Sequence, residues 1–186
     1  MKIDNRWTLF LDRDGVINRR IVGSYVTKWS HFEFLPGVLD AFRILAGIFP
    51  RIFVVSNQQG VGKGIMTDEE VAEIHRKMVD EIAQSGGRID RVYYCPNLES
   101  DHSKMRKPAS GMALLAQHDF PEVDFQLSLM AGDSISDMEF GKRLKMITVS
   151  ISPFSDIVFH YKGLIDRVYP DLLTFAKDMA SQVSIP

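Results

Sequence analysis

Short apolar runs alternate with amphipathic stretches along the chain. Trp7-Thr8-Leu9-Phe10-Leu11 reads as a strand that stops at a charged turn. Pro36-Gly37 opens a helix-like stretch with Val38, Ala41, Phe42 and Leu45 on one side. Ile52-Phe53-Val54-Val55 is a second strand, ending in a polar, glycine-containing turn. Thr67-Asp68-Glu69-Glu70 has the form of a capping box, in which the Thr67 hydroxyl and the Glu70 carboxylate each satisfy a free backbone N–H. Val71, Ile74, Met78 and Ile82 follow at helical spacing, and Gly86-Gly87 ends the helix. Val92-Tyr93-Tyr94-Cys95 is a third strand. A polar loop over residues 96–106 then leads to a short helix near residues 111–118. Leu127-Ser128-Leu129-Met130-Ala131 and Met146-Ile147-Thr148-Val149 are further strands, with a helix near residues 137–143 between them. The tail gives a short strand near residues 165–168 and a helix from about Pro170 to Ala180.

Strands alternating with helices predict an α/β fold: a doubly wound parallel sheet with helices on both faces, in one domain over residues 1–186. Composition leaves this picture intact. Hydrophobic residues make up 45% of 186 and charged residues 25%, which excludes a disordered or fibrous chain. The net charge of −2 argues against a general grip on nucleic acid. One cysteine, Cys95, rules out an intramolecular disulfide and suits a reducing compartment. No segment reaches the roughly 18 apolar residues of a membrane helix. The start, Met1-Lys2-Ile3-Asp4-Asn5-Arg6, lacks the apolar stretch of a signal peptide. The expected location is the cytoplasm.

Such sheets bind ligands beyond the carboxyl ends of their strands. Asp12-Arg13-Asp14-Gly15 follows the first strand and Ser56-Asn57-Gln58 the second. Arg106-Lys107-Pro108 precedes the helix after the third, and Gly132-Asp133-Ser134-Ile135-Ser136-Asp137 follows the fourth. Each cluster alone has a plainer reading: a turn at Asp14-Gly15, caps at Ser56-Asn57 and Asp137, a solvated charge at Lys107. Four of them on one sheet edge point to chemistry. Asp12 and Asp14 repel unless a cation or proton is shared, and hard carboxylate oxygens suit Mg²⁺. Asp133 can supply a further oxygen. One aspartate can attack phosphorus and the other can move protons. Lys107 and Ser56 can stabilise the charge on a phosphoryl group in transfer. Gly60-Val61-Gly62-Lys63-Gly64 fails the Walker pattern, with Gly64 in place of Ser or Thr and Asn57 in place of the first glycine. His75 reads as a packed or surface histidine and Cys95 as a small, partly buried thiol.

Asp12-Arg13-Asp14-Gly15-Val16-Ile17-Asn18, Ser56-Asn57-Gln58, Arg106-Lys107-Pro108 and Gly132-Asp133-x-x-x-Asp137 resemble the four ordered motifs of the haloacid dehalogenase superfamily. Arg13 inside the first motif, Asn57-Gln58 in the second and Arg106-Lys107-Pro108 resemble one branch, that of the heptose 1,7-bisphosphate phosphatases and histidinol-phosphatases, with further matches at Tyr25-Val26, Phe32-Glu33-Phe34-Leu35-Pro36-Gly37 and Tyr93-Tyr94-Cys95-Pro96. The resemblance runs from about Trp7 to Val149 and implies a fold without a large cap domain. It implies Asp12 as nucleophile and Mg²⁺ ligand, and Asp14 as general acid/base and metal ligand through its carbonyl. It implies Ser56 and Lys107 on the phosphoryl group, Asn57, Gln58 and Arg106 near substrate, Asp133 as the third metal ligand, and Asp137 in support. The implied activity is Mg²⁺-dependent hydrolysis of a small phosphate ester through a phosphoaspartate, in a monomer.

The branch carries a zinc loop where this chain has Asn97, Ser103 and Met105 in place of three ligands, so no zinc is expected. The leading substrate is a sugar bisphosphate of the heptose 1,7-bisphosphate type. Histidinol phosphate and a nucleic-acid 3′-phosphate are alternatives. A phospho-accepting receiver module is the rival of another class. Asp14, two residues beyond the nucleophile, favours an enzyme over a switch.

Overall fold

A computed structural model describes residues 3–152 and 163–182. Met1 and Lys2, read above as part of the N-terminus, lie outside the described residues. The elements are β1 (Thr8–Leu11), α1 (Val38–Ala46), β2 (Arg51–Asn57), α2 (Asp68–Gln84), β3 (Arg91–Cys95), α3 (Gly111–Asp119), β4 (Ser128–Gly132), α4 (Ile135–Arg143), β5 (Ile147–Ile151), β6 (Arg167–Tyr169) and α5 (Leu172–Ser181). The strands form one sheet in the order β3-β2-β1-β4-β5-β6, and every pairing is parallel. This is the expected doubly wound α/β architecture.

Successive residues of a strand face opposite sides of the sheet, and here they feed two separate cores. Leu9, Leu11, Ile52, Val54, Leu129 and Ala131 face the side of α1, α5 and the end of α2. Phe10, Phe53, Val55 and Met130 face the side of α3 and α4, where Met112, Ala113, Ala116 and Phe140 meet them. With both faces covered, the central strands are buried throughout, which is why they read as continuous apolar runs. A third cluster joins Val26 to Met66, Val71 and Ile74, with Ile21, Trp29 and Phe32 packed against it. It ties the loop after β1 to the first half of α2, so that loop lies fixed over the strand ends.

The observed boundaries differ from the sequence reading where polar side chains take over from apolar ones. β2 continues through Ser56 and Asn57, which pair with Tyr94 and Cys95. α4 starts at Ile135 rather than near 137, because Ser134 and Asp137 form a capping box. The last strand is Arg167–Tyr169, and α5 starts after Asp171, whose side chain accepts from the Thr174 N–H at 2.7 Å.

The capping box at the start of α2 is complete: Thr67 N–H donates to Glu70 Oε2 at 2.7 Å, and Glu70 N–H donates to Thr67 Oγ1 at 3.2 Å. Thr67→Ala removes the Oγ1 acceptor and should cost about 1 kcal/mol. Urea unfolding checks this, and an unchanged midpoint would show that the cap contributes nothing to global stability.

Candidate active site

The strand order reverses direction between β1 and β4, and the crevice at such a point is where doubly wound sheets bind ligands. Asp12 stands one residue past β1, with its N–H donating to the Ala131 carbonyl at 2.9 Å. Asp133 stands one residue past β4. Two glycines make room for the carboxylates between them. Gly15 has φ +93°, and a Cβ there would lie 1.9 Å from Asp133 Oδ2. A Cβ on Gly132 would lie 2.4 Å from the Asp137 carboxyl carbon.

Lys107 ties this edge together. It is buried, and its Nζ donates to the Val55 carbonyl at 2.7 Å and to Asp137 Oδ1 at 2.6 Å, and lies 2.9 Å from Asp12 Oδ1. Burial opposes its charge, but Asp12 and Asp137 outweigh that and hold its pKa above the usual lysine value. Asp137 is fully used: its other oxygen accepts from the Ser134 N–H at 3.0 Å and the Ser134 hydroxyl at 2.6 Å. Asp12 Oδ1 also accepts from the Arg13 N–H at 2.7 Å.

Asp14 lies under different control. Its carboxylate accepts from Arg13 Nη2 at 3.0 and 2.9 Å, Asn18 Nδ2 at 2.9 Å and Gln58 Nε2 at 2.8 Å. Burial pushes its pKa up, but the Arg13 charge and these donors prevail and hold it below the usual carboxylate range. Arg13 is itself buried and donates from Nη1 to His75 Nε2 at 3.0 Å. Arginine has no acceptor, so His75 accepts and is neutral. Its pKa is lowered to about 3, by burial first and then by the Arg13 charge. His75 is thus a packed histidine, as read from sequence, but one that supports the site.

Asp12, Asp14, Ser56, Asn57, Gln58, Arg106 and Lys107 all line one cavity of about 650 Å³. Asp133 does not line it but accepts from Arg20, which does. Ser56 Oγ accepts from Gln58 Nε2 at 2.8 Å. The Asn57 amide is spent on the Lys107 backbone: Nδ2 donates to its carbonyl at 3.0 Å, and Oδ1 accepts from its N–H at 2.9 Å. Arg106 makes only long contacts, 3.4 Å to the Asn97 carbonyl and 3.5 Å to Gln59 Oε1.

Sequence reading missed Arg20, whose Nη2 donates to the Asp14 carbonyl at 3.1 Å and to Asp133 Oδ1 at 2.8 Å. It also missed the Arg13–His75 contact. No spacing rule marks either one.

The oxygens fit a divalent ion. Among the described residues, Asp12, Asp133 and Asp137 form a group whose ligand atoms lie within 4.8 Å of one another. Burial, with repulsion from Asp137, pushes the Asp12 carboxyl up to about 6. Burial, with repulsion from Asp12, pushes Asp133 up to about 7. Crowded carboxylates in this state are short of positive charge. Asp137 has both oxygens engaged by Lys107 and Ser134, whereas the bonds to Asp12 fall on Oδ1 and the Arg20 bond to Asp133 on its Oδ1. Cys95 Sγ lies 3.5 Å from Asn97 Oδ1 and 3.9 Å from Ser103 Oγ, so one thiol meets an amide and a hydroxyl.

A parallel sheet with aspartates, a serine and a lysine gathered at its switch point is the layout of a haloacid dehalogenase-type phosphohydrolase. No family model matches the chain. The D-glycero-alpha-D-manno-heptose-1,7-bisphosphate 7-phosphatase of Mycobacterium tuberculosis is 46% identical over 137 residues, covering 73% of this chain and 71% of the relative. The enzyme of that description from Campylobacter jejuni is 38% identical over 133 residues, covering 72% and 74%. Among solved structures, the D,D-heptose 1,7-bisphosphate phosphatase of B. bronchiseptica, complexed with magnesium and phosphate, superposes with a TM-score of 0.84. It is 26% identical, and 94% of this chain and 99% of that one are covered. The chain belongs to the heptose-1,7-bisphosphate 7-phosphatase family of the haloacid dehalogenase superfamily.

Asp133 holds its proton to about pH 7 in the folded protein and to about pH 4 when unfolded. Its contribution to stability is therefore fully present below about pH 4 and is lost as pH rises through about 7. Asp133→Asn cannot ionise. In metal-free protein its melting-temperature advantage over wild type should grow from pH 4 to pH 7 and then level off. A gap independent of pH would show that the carboxylate is not repelled.

Proposed function

We propose that this chain removes the 7-phosphate of D-glycero-alpha-D-manno-heptose 1,7-bisphosphate, with Mg²⁺ at Asp12, Asp133 and the Asp14 carbonyl. The observation that carries the reading is Asp12 pinned by Lys107 at 2.9 Å at the switch point, in a chain 46% identical to an enzyme of that name. The alpha anomer is favoured because the M. tuberculosis and C. jejuni relatives bear it in their names.

The hydrogen bonds to Asp12 end on Oδ1, so Oδ2 keeps its lone pairs for phosphorus. Asp12 attacks the 7-phosphoryl group, the bond from phosphorus to the sugar oxygen breaks, and a phosphoaspartate forms. Asp14 gives its proton to the departing sugar oxygen. It then takes a proton from the water that attacks the phosphoaspartate, releasing inorganic phosphate and restoring Asp12. As the structure stands, Asp14 is held ionised. The negative phosphoryl group arriving beside it raises its pKa and supplies the protonated form. Lys107 and the Ser56 hydroxyl take up charge on the phosphoryl oxygens. Mg²⁺, when bound, neutralises phosphoryl charge and so lowers the cost of the aspartate's approach.

Asn57 acts by holding the Lys107 backbone, while Gln58 and Arg106 face the substrate. Zinc has no part in this reading. The substrate is a small soluble metabolite, and the net charge of −2 supports its being no nucleic acid. No helix among the described residues is long and apolar enough to cross a membrane. We place the enzyme in the cytoplasm as a monomer.

Phosphate release with Mg²⁺ tests the reading, on both anomers of heptose 1,7-bisphosphate, histidinol phosphate and a 3′-phosphorylated oligonucleotide. The alpha anomer should be the best substrate by kcat/KM. Asp12→Asn should abolish release, and Asp14→Asn should lower kcat about 10²- to 10⁴-fold, the range for a lost acid/base. Full activity in Asp12→Asn would overturn the phosphoaspartate route, and a preference for histidinol phosphate would overturn the substrate.

A further inference from the structure

One nitrogen of the Arg20 guanidinium holds both the Asp14 carbonyl and Asp133 Oδ1, at 3.1 and 2.8 Å. Those are two of the three oxygens that the reading above gives to Mg²⁺, and the inference rests on that reading. A guanidinium carries donors only. It therefore satisfies these oxygens in the way a cation does, and it repels any cation that approaches them. The site has reason to hold it. The carboxylates of Asp12, Asp133 and Asp137 are crowded together, and Lys107 supplies one charge among them. Arg20 supplies a second. Its own hold is weak: its side chain is 49% exposed, against 17% for Asp133, so water stands ready to solvate it on release.

Arg20 lines the cavity, whose acidic lining residues are Asp12 and Asp14. Asp12 is engaged by Lys107, and Asp14 by Arg13, Asn18 and Gln58. A freed guanidinium therefore finds no open carboxylate there. It joins Lys63 and Arg106, while the other lining cations, Arg13 and Lys107, already pair with Asp14 and Asp12. A bisphosphate brings one phosphate that is not hydrolysed, and arginine binds phosphate in a two-pronged geometry that lysine lacks.

We propose that Arg20 is a displaceable counter-ion. It occupies the metal's oxygens before Mg²⁺ binds, is expelled by the ion, and then binds the phosphate that the enzyme leaves on its substrate. Metal and bisphosphate thereby favour each other through one side chain that cannot serve both places at once.

Calorimetric titration of Mg²⁺ into metal-free wild type, Arg20→Gln and Asp133→Asn tests the first half. Arg20→Gln should bind Mg²⁺ about two- to fivefold more tightly, the worth of a partly exposed ion pair. Equal or weaker binding overturns the displacement. If Asp133→Asn binds Mg²⁺ like wild type, the ligand assignment itself fails, which separates the two errors. The second half is read from steady-state kinetics at saturating Mg²⁺. Arg20→Gln should raise KM for the bisphosphate severalfold, while the Ki of inorganic phosphate, which reports the transferred group alone, stays put. Both constants moving together, or neither moving, overturns the second role. Arg20 lies on the surface loop after β1, and matching thermal melts of the Mg²⁺-loaded proteins confirm an intact fold.

Discussion

The buried ammonium of Lys107 is the contact on which the rest of this edge depends. Three chain segments meet at one nitrogen: the β2 backbone at Val55, the end of β1 at Asp12 and the first turn of α4 at Asp137. A charge taken out of water is costly unless it is paired and hydrogen-bonded, and here all three donor positions are used. Removing it would leave Asp12 and Asp137 as buried, uncompensated anions beside Asp133. The electrostatics of Asp12, the helix cap and the proposed metal site thus hang on a single side chain, which belongs to none of the secondary-structure elements.

Around that point two carboxylates of the same chemical type are set apart by environment. Asp12 is raised to about 6 by burial and by its acidic neighbours. Asp14 is drawn down by Arg13, Asn18 and Gln58. The difference comes from which donors the fold supplies to each. Arg13 reaches Asp14 because its own side chain is buried against His75, so a histidine in the middle of α2 contributes to the behaviour of a residue at the end of β1.

The sheet was legible because its strands are buried on both faces and its helices carry apolar residues at helical spacing. Thr67 and Glu70 were legible as a cap because the motif is local. So was the placement of Asp12, Asp14 and Asp133 just beyond β1 and β4, at the edge where such sheets bind ligands. The extension of β2 over Ser56 and Asn57 was not, since polar residues at a strand end look like a turn until Tyr94 and Cys95 pair with them. Nor was the true start of α4, where Asp137 serves the Ser134 cap and Lys107 together. Arg20 and the Arg13–His75 contact depend on how a loop settles in three dimensions, and one-dimensional spacing holds no trace of that.

The Asn57 clamp on the Lys107 backbone has a consequence for how this molecule can change over time. Residues 96–106 depart from the zinc-loop pattern at Asn97, Ser103 and Met105, yet the lysine next in the chain is anchored from β2, by Asn57 and Val55, rather than from the loop. The loop can acquire a new shape without moving the cation that stands beside Asp12. The loop and the lysine that follows it are thus mechanically separable at this junction, and a change in one need not be answered by a change in the other.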